Sequence, residues 1–136
     1  MEDLAWRIRF SVLWLFADIA FVAHSLLTFL KPGVVEQVMA GNIEGLKITP
    51  EILFLYAIIF LFPLVMAFLS LTLKYSIVRW ANIIMGIVGV VLSLIGLSEE
   101  LSLSQPYAFA ILIWITKIIV DVLIIWYAYK WPKEGT

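Results

Sequence analysis

Four ionisable side chains interrupt long apolar runs: Asp18, His24, Lys117 and Asp121. Lys117 and Asp121 stand four residues apart within the stretch Pro106 to Tyr129. On a helix that spacing puts both on one face. A run of such length and apolarity is a membrane span. The pair is therefore expected at bilayer depth, where charges are expensive and turn to a bundle interior. Asp18 lies nine residues from Arg9, and Asp121 nine from Lys130. With a rise of about 1.5 Å per residue the two acids share a depth, and Lys117 lies about one turn further out. If the first and last spans touch, two acids and one base form a cluster. Lys117 is then expected to neutralise one acid and a proton the other.

Two readings of that cluster stand side by side. One is a proton or cation relay, because intramembrane acids that exchange a proton with a lysine belong to transport chemistry. The other is a polar clasp that fixes helix register, each contact contributing ~0.6–2 kcal/mol. His24 lies six residues after Asp18, about 120° around the helix, so the two do not share a ligand directly. It is either a relay member or haem ligand, or a structural interhelical hydrogen bond. A haem bundle needs a second axial His or Met. There is no second histidine, so only Met66 and Met85 remain, and no cofactor is expected. No HExxH, phosphate loop, nucleophile elbow or metal-spaced cluster is present. The expectation is a protein that is not an enzyme and holds no metal.

The elements that must position these residues follow from composition. Of 136 residues 64% are hydrophobic and 14% charged, with mean hydropathy +1.08. Water-soluble domains are near half apolar and a quarter charged, so lipid is the solvent of this chain. The net charge of −1 and the lack of a basic run give no reason to expect nucleic acid. The absence of cysteine excludes disulfide exchange and thiolate chemistry. The apolar runs Phe10–Leu30, Ile52–Leu73, Trp80–Leu97 and Pro106–Tyr129 predict four spans in one domain, 1–136. They are too long, and alternate too little, for barrel strands, so each is a helix that satisfies its own backbone. The fold class is all-α: an integral membrane four-helix bundle running up-down-up-down. Arg7 and Arg9 precede the first run with no small-residue cleavage site after it, so it is read as a span and not a cleaved signal. The third run is the shortest and is expected to stand nearly upright.

Punctuation supports these bounds. Lys31-Pro32-Gly33 ends the first span. Thr49 is expected to cap the second, with Pro50 at its first turn and Glu51 at the positive helix end. Ser76 is the candidate cap of the third, and Pro63 should kink the second. The outer loop 31–49 carries Val34, Val35, Val38 and Met39 at helical spacing, ended by Gly41. That short helix is expected on the outer membrane face or as a cap on the bundle. The third span carries Asn82, Gly86, Gly89, Ser93 and Gly96 at alternating spacings of four and three, one face for close helix packing. Asn82 is read as packing or as an entrance, together with Arg79 and Trp80.

Arg7, Arg9, Lys74, Arg79, Lys130 and Lys133 fall on one side, and Lys31 and Lys47 on the other. The positive-inside rule then places both termini in the cytoplasm of a cell (plasma) membrane protein. Trp6, Tyr75, Trp80, Trp126, Tyr127, Tyr129 and Trp131 gather at that interface.

Phe16-Ala17-Asp18-Ile19, the loop Gly41 to Thr49, Arg79-Trp80-Ala81-Asn82-Ile83 and Trp126-Tyr127-Ala128-Tyr129-Lys130-Trp131 together resemble a family of small four-span prokaryotic membrane proteins of unknown function. More loosely, the plan is similar to that of DoxX-like proteins. The resemblance implies the fold and topology, and Asp18, Arg79, Trp80, Asn82 and Trp131 as its positions. It does not extend to Lys117 or Asp121, and it brings no activity. Two functions follow. The first is a small carrier or channel component, working as an oligomer, with Asp18, His24, Lys117 and Asp121 as its polar core. The second is a non-catalytic structural or accessory protein that scaffolds a partner or binds lipid. A water-reachable polar cavity at mid-depth separates the two. A quinone- or amphiphile-binding redox subunit is a weaker third, opposed by the single histidine and the absent cysteine. The lipid bilayer is the one partner the composition names, a homo-oligomer is a candidate assembly, and no substrate is indicated.

Overall fold

The computed structural model describes residues 2–43 and 45–133. Four long helices account for most of the chain: α1 Glu2–Thr28, α3 Pro50–Thr72, α4 Tyr75–Leu101 and α5 Ala108–Lys130. All four are long and apolar enough to cross a membrane. Between α1 and α3 lie the short helix α2, Val34–Met39, and a two-stranded antiparallel ribbon, β1 Asn42–Ile43 with β2 Leu46–Lys47. The fold is all-α in its membrane-crossing part.

Local chemistry sets most of the ends. Thr49 caps α3, its Oγ1 accepting from the Ile52 amide at 3.2 Å, with Pro50 in the first turn. Gly41, at φ 88°, follows α2 as a glycine that leaves a helix must. Gly45, at φ 80°, turns the ribbon, a conformation that suits glycine. A strand pair two residues long carries no periodicity, so the ribbon is invisible to patterning.

Two spans extend beyond their apolar runs. α1 starts at Glu2 and not near Phe10, because Glu2 and Asp3 suit the positive helix end and Asp3 pairs with Arg7 one turn on, at 2.7 Å. α4 starts at Tyr75, with Lys74 as its capping residue and no side-chain cap bond. Ser76 therefore lies inside the helix and does not cap it. With 27 residues, α4 is no shorter than α1. The expectation that the third span is the shortest fails. Hydropathy stopped at polar residues which tertiary contacts hold helical.

The helices are laid out α3, α1, α5, α4. α1 packs on both α3 and α5, α4 packs on α5, and α3 and α4 meet little. Neighbours are antiparallel: Arg7 near the start of α1 reaches the end of α3, and Trp6 meets Tyr127 near the end of α5. The up-down-up-down order thus brings both ends of the described chain to one end of the bundle. The core runs through Phe10, Trp14, Ala17, Met66, Ala67, Val78, Val120, Ile124, Ala128 and Trp131. No residue of α2 is buried, and Met39 is 83% exposed. Val34 and Val38 are half-buried, and the rest of α2 is exposed.

Candidate functional site

The small-residue stripe of α4 faces α5 and forms the seat of the site. A Cβ on Gly86 would come to 2.6 Å from Ile125 Cγ1, and one on Gly89 to 2.8 Å from Asp121 Cγ. A Cβ on Gly96 would overlap the Trp114 ring. These approaches need glycine, because any side chain would hold the helices apart. Ser93 completes the seat: its hydroxyl donates to Asp121 Oδ2 at 3.2 Å. The stripe is therefore more than a packing face. It makes room for a buried carboxylate, Asp121, which is only 2% exposed.

Lys117 lies one turn away on the same helix. Its Nζ is 4.8 Å from the centre of the Phe21 ring and 5.0 Å from that of Trp114. Aromatic faces attract an ammonium at such distances. Lys117 is within electrostatic reach of both Asp121 and Asp18. Yet it forms an ion pair with neither, and among the described residues it makes no hydrogen bond. The expected Lys117–carboxylate contact is thus replaced by an aromatic cradle. The spacing of Trp114, three residues before Lys117, puts the ring on the lysine's own face. That signal was present in the sequence and unused.

Asp18 is buried on α1, and its Oδ1 has no hydrogen-bond partner. His24 is buried one and a half turns further out. Its ring lies 4.7 Å from that of Trp114, and its Nε2 also lacks a partner. The Phe21 and Trp114 rings, 6.4 Å apart, bridge α1 and α5 and contact the lysine, and Trp114 also contacts the histidine. The geometry thus brings Lys117 near Asp121 and Asp18, and the Trp114 ring touches both Lys117 and His24.

Polar ties close both ends. At the outer end Lys31 Nζ pairs with Glu100 Oε2 at 3.2 Å, and Glu100 Oε1 accepts from the Tyr107 amide at 2.9 Å. Glu100 is 6% exposed and joins α1, α4 and the start of α5. Its role was missed, since loop acids read as solvated. At the end that carries the termini, Arg7 donates to the carbonyls of Ser70 and Leu73. Arg79 donates to the carbonyls of Ala128 at 3.0 Å and Tyr129 at 3.3 Å, and the Tyr75 hydroxyl donates to that of Trp131 at 2.7 Å. These donors satisfy carbonyls that a helix end leaves open.

Asn82 is the hub between the two zones. It is fully buried; its Oδ1 accepts from Trp14 Nε1 at 2.7 Å, and its Nδ2 donates to Ser70 Oγ and to the Val78 carbonyl. Ser70 and Trp14 were not singled out by sequence. Trp80 is 57% exposed, on the lipid-facing side, and Trp131 is buried against Phe10 and Tyr75. Arg79, Asn82 and Trp131 are therefore parts of helix ties. Of two open surface cavities, one is lined by Glu2, Asp3, Trp6, Trp131, Pro132 and Lys133, the other by Ile83, Val122, Ile125, Trp126 and Tyr129. Neither reaches the polar core. No trio of His, Asp or Glu among the described residues stands close enough to hold a metal.

No curated protein and no solved structure matches the chain significantly. One family model does match, over residues 4–136, and is described as a family of unknown function, DUF6326. With four spans and a match over nearly its whole length, this small multi-pass membrane protein belongs to that family of unknown function.

Proposed function

We propose that this protein is a small proton-relaying carrier or channel component, and not an enzyme. The observation that carries the reading is the unpaired state of its core. Lys117 reaches no carboxylate, while Asp18 Oδ1 and His24 Nε2 are buried without partners. A clasp that served stability would saturate these groups, since a buried polar group left unmade costs about 1–3 kcal/mol. The chain saturates such groups at Asn82 and Arg79, and outside the core it leaves the Trp131 Nε1 donor without a partner. An ammonium held by rings between two acids can turn on its flexible stem and give its proton to either carboxylate. That transfer leaves a neutral amine and a neutral acid, and a proton from the other side restores the lysine. Asp121, fixed by Ser93, and Asp18 are the acceptors. His24 stands toward the outer end as the next group in line.

Both termini are assigned to the cytoplasm of the plasma membrane by the Lys/Arg asymmetry, six to two across the loops. A homo-oligomer would supply, between bundles, the water-filled path that neither cavity of one bundle provides. The four-span likeness to DoxX-like proteins belongs to the same reading and adds no activity to it. A second reading, a structural or accessory protein, is favoured by the position of both surface cavities away from the polar core.

The test is flux. The purified chain goes into liposomes with a trapped pH dye and an imposed potassium diffusion potential. The relay requires faster dye response than in empty vesicles, lost in Asp18→Asn and in Lys117→Met. Response equal to empty vesicles would remove the relay and leave the accessory reading.

A further inference from the structure

The lipid-facing seam between α4 and α5 holds the second cavity, lined by Ile83, Val122, Ile125, Trp126 and Tyr129. Its wall is almost wholly apolar, and Val122, Trp126 and Tyr129 are exposed. In water such a surface would be a liability; in a bilayer it is an open apolar slot in which an acyl chain can lie. Its mouth lies toward the termini. There Lys130 Nζ sits 4.7 Å from the centre of the Trp126 ring, and Arg79 Cζ 5.6 Å from that of Trp80. Arg79 stands one turn before Ile83 on α4, and its guanidinium is tied to the Tyr129 carbonyl across the seam. Its position is therefore fixed, while Lys130 is exposed and rests against the Trp126 ring. Two cations thus flank the end of an apolar slot, beside Trp80, Trp126 and Tyr129, aromatic residues of the kind that gather at a membrane interface.

We propose that this seam is a binding site for one anionic phospholipid. An acyl chain lies in the slot, and the phosphate is held between Arg79 and Lys130. Charge complementarity decides the occupant: a neutral lipid would leave both cations without a counter-charge, and a free phosphate would leave the slot unused. Arginine and lysine at the headgroup level attract anionic lipid, with their long stems reaching along the apolar surface. The site shares no residue with the polar core, so it stands or falls apart from the relay.

Native mass spectrometry of the detergent-purified protein reads it. Phosphatidylglycerol, phosphatidylcholine and glycerol phosphate are added in turn. One retained phosphatidylglycerol per chain is expected, with weaker phosphatidylcholine and no glycerol phosphate. Lys130→Gln is expected to weaken phosphatidylglycerol retention about five-fold, the worth of one interfacial basic residue. Val122→Trp, which fills the slot from an exposed position, should abolish retention of either lipid while the lipid-free melting temperature stays within about 2 °C, as befits a surface change. Equal retention of the two lipids, or unchanged retention in Val122→Trp, would overturn the proposal. Retention of glycerol phosphate alone would make the site a phosphate site without a chain. A mass shift from dimer to monomer in Val122→Trp would give the seam to a second copy of the protein.

Discussion

The bundle treats its polar groups in two opposite ways. Near the termini, most polar side chains that enter the helix contacts find a fixed partner, the buried Trp131 Nε1 being an exception. Arg7 and Arg79 bind helix-end carbonyls, Tyr75 binds that of Trp131, and Asn82 joins Trp14 to Ser70. Further out, Asp18 and His24 keep buried atoms without partners, and Lys117 rests on rings instead of a carboxylate. Both zones are embedded in the same low-dielectric surroundings, so the rules for burial are the same. The difference lies in what is optimised. The first zone is built to stay in one arrangement. The second is left with polar groups whose best partners are absent, at a cost that the rest of the bundle must offset.

Substitutions can break or sharpen that contrast. The largest effect is expected at Gly89, where the two zones share a wall. Its missing Cβ is the space that Asp121 occupies, at 2.8 Å. Gly89→Leu must push α4 off α5, and overpacking of this kind costs roughly 1–3 kcal/mol or more. Loss of a monodisperse peak on size-exclusion chromatography is the expected outcome. An unchanged melting temperature in detergent would mean that α4 turns another face to α5. Next comes the outer latch. Lys31→Met leaves Glu100 buried with the Tyr107 amide as its remaining partner, and losing one member of a buried pair costs about 3 kcal/mol. The double change Lys31→Met with Glu100→Gln should recover much of the loss, because the amide keeps an acceptor for Tyr107. No recovery would show that the pair is not the reason.

Much of this was legible in the sequence, and the physical reason is the solvent. Lipid forces helices, so four spans, their antiparallel order and the inner-surface burial of Asp18 and Asp121 follow from hydropathy. The α4 stripe was legible because glycine at such spacing has few other uses. The Thr49 cap and the Gly41 stop were legible because their geometry is local. What escaped was what distance in the chain conceals. Ser70 and Trp14 meet Asn82 only because α1, α3 and α4 converge there. Glu100 looks like a solvated loop acid until Lys31 is brought to it. The helical starts at Glu2 and Tyr75 depend on tertiary anchors that hydropathy does not count. Lys117 was expected to seek an acid, and the competing attraction of Phe21 depends on where α1 lies against α5.

A medium effect is expected at the hub. Asn82→Leu leaves Trp14 Nε1 as a buried donor with no acceptor and removes one donor to Ser70 Oγ, which keeps its own bond to the Met66 carbonyl. The cost of a buried donor left unsatisfied is about 1–3 kcal/mol. A lowered melting temperature should be accompanied by a shift in the tryptophan emission of Trp14, read in a variant whose other five tryptophans are phenylalanine. Melting unchanged in Asn82→Leu would mean that the tie is worth nothing, and that the terminus-side zone is no more fixed than the core.

The smallest effect on stability, and the sharpest test of the contrast, is expected at Asp18. A tie between helices weakens when its partner is removed, but Asp18 Oδ1 has no partner to lose. Asp18→Asn keeps the shape and takes away a charge whose burial is unfavourable. It also removes the attraction between that charge and Lys117, which the two groups feel across the α1–α5 contact. These effects oppose each other, so the melting temperature should stay within about 2 °C of the parent, the scale of a change under ~0.5 kcal/mol. Dye response in liposomes should fall to that of empty vesicles, since an amide cannot accept and release the proton. Stability unchanged with flux lost is the signature of a group kept for work. A fall of stability as large as that of Asn82→Leu would make Asp18 one more structural tie, and the two zones would then differ only in how tightly their polar groups are matched.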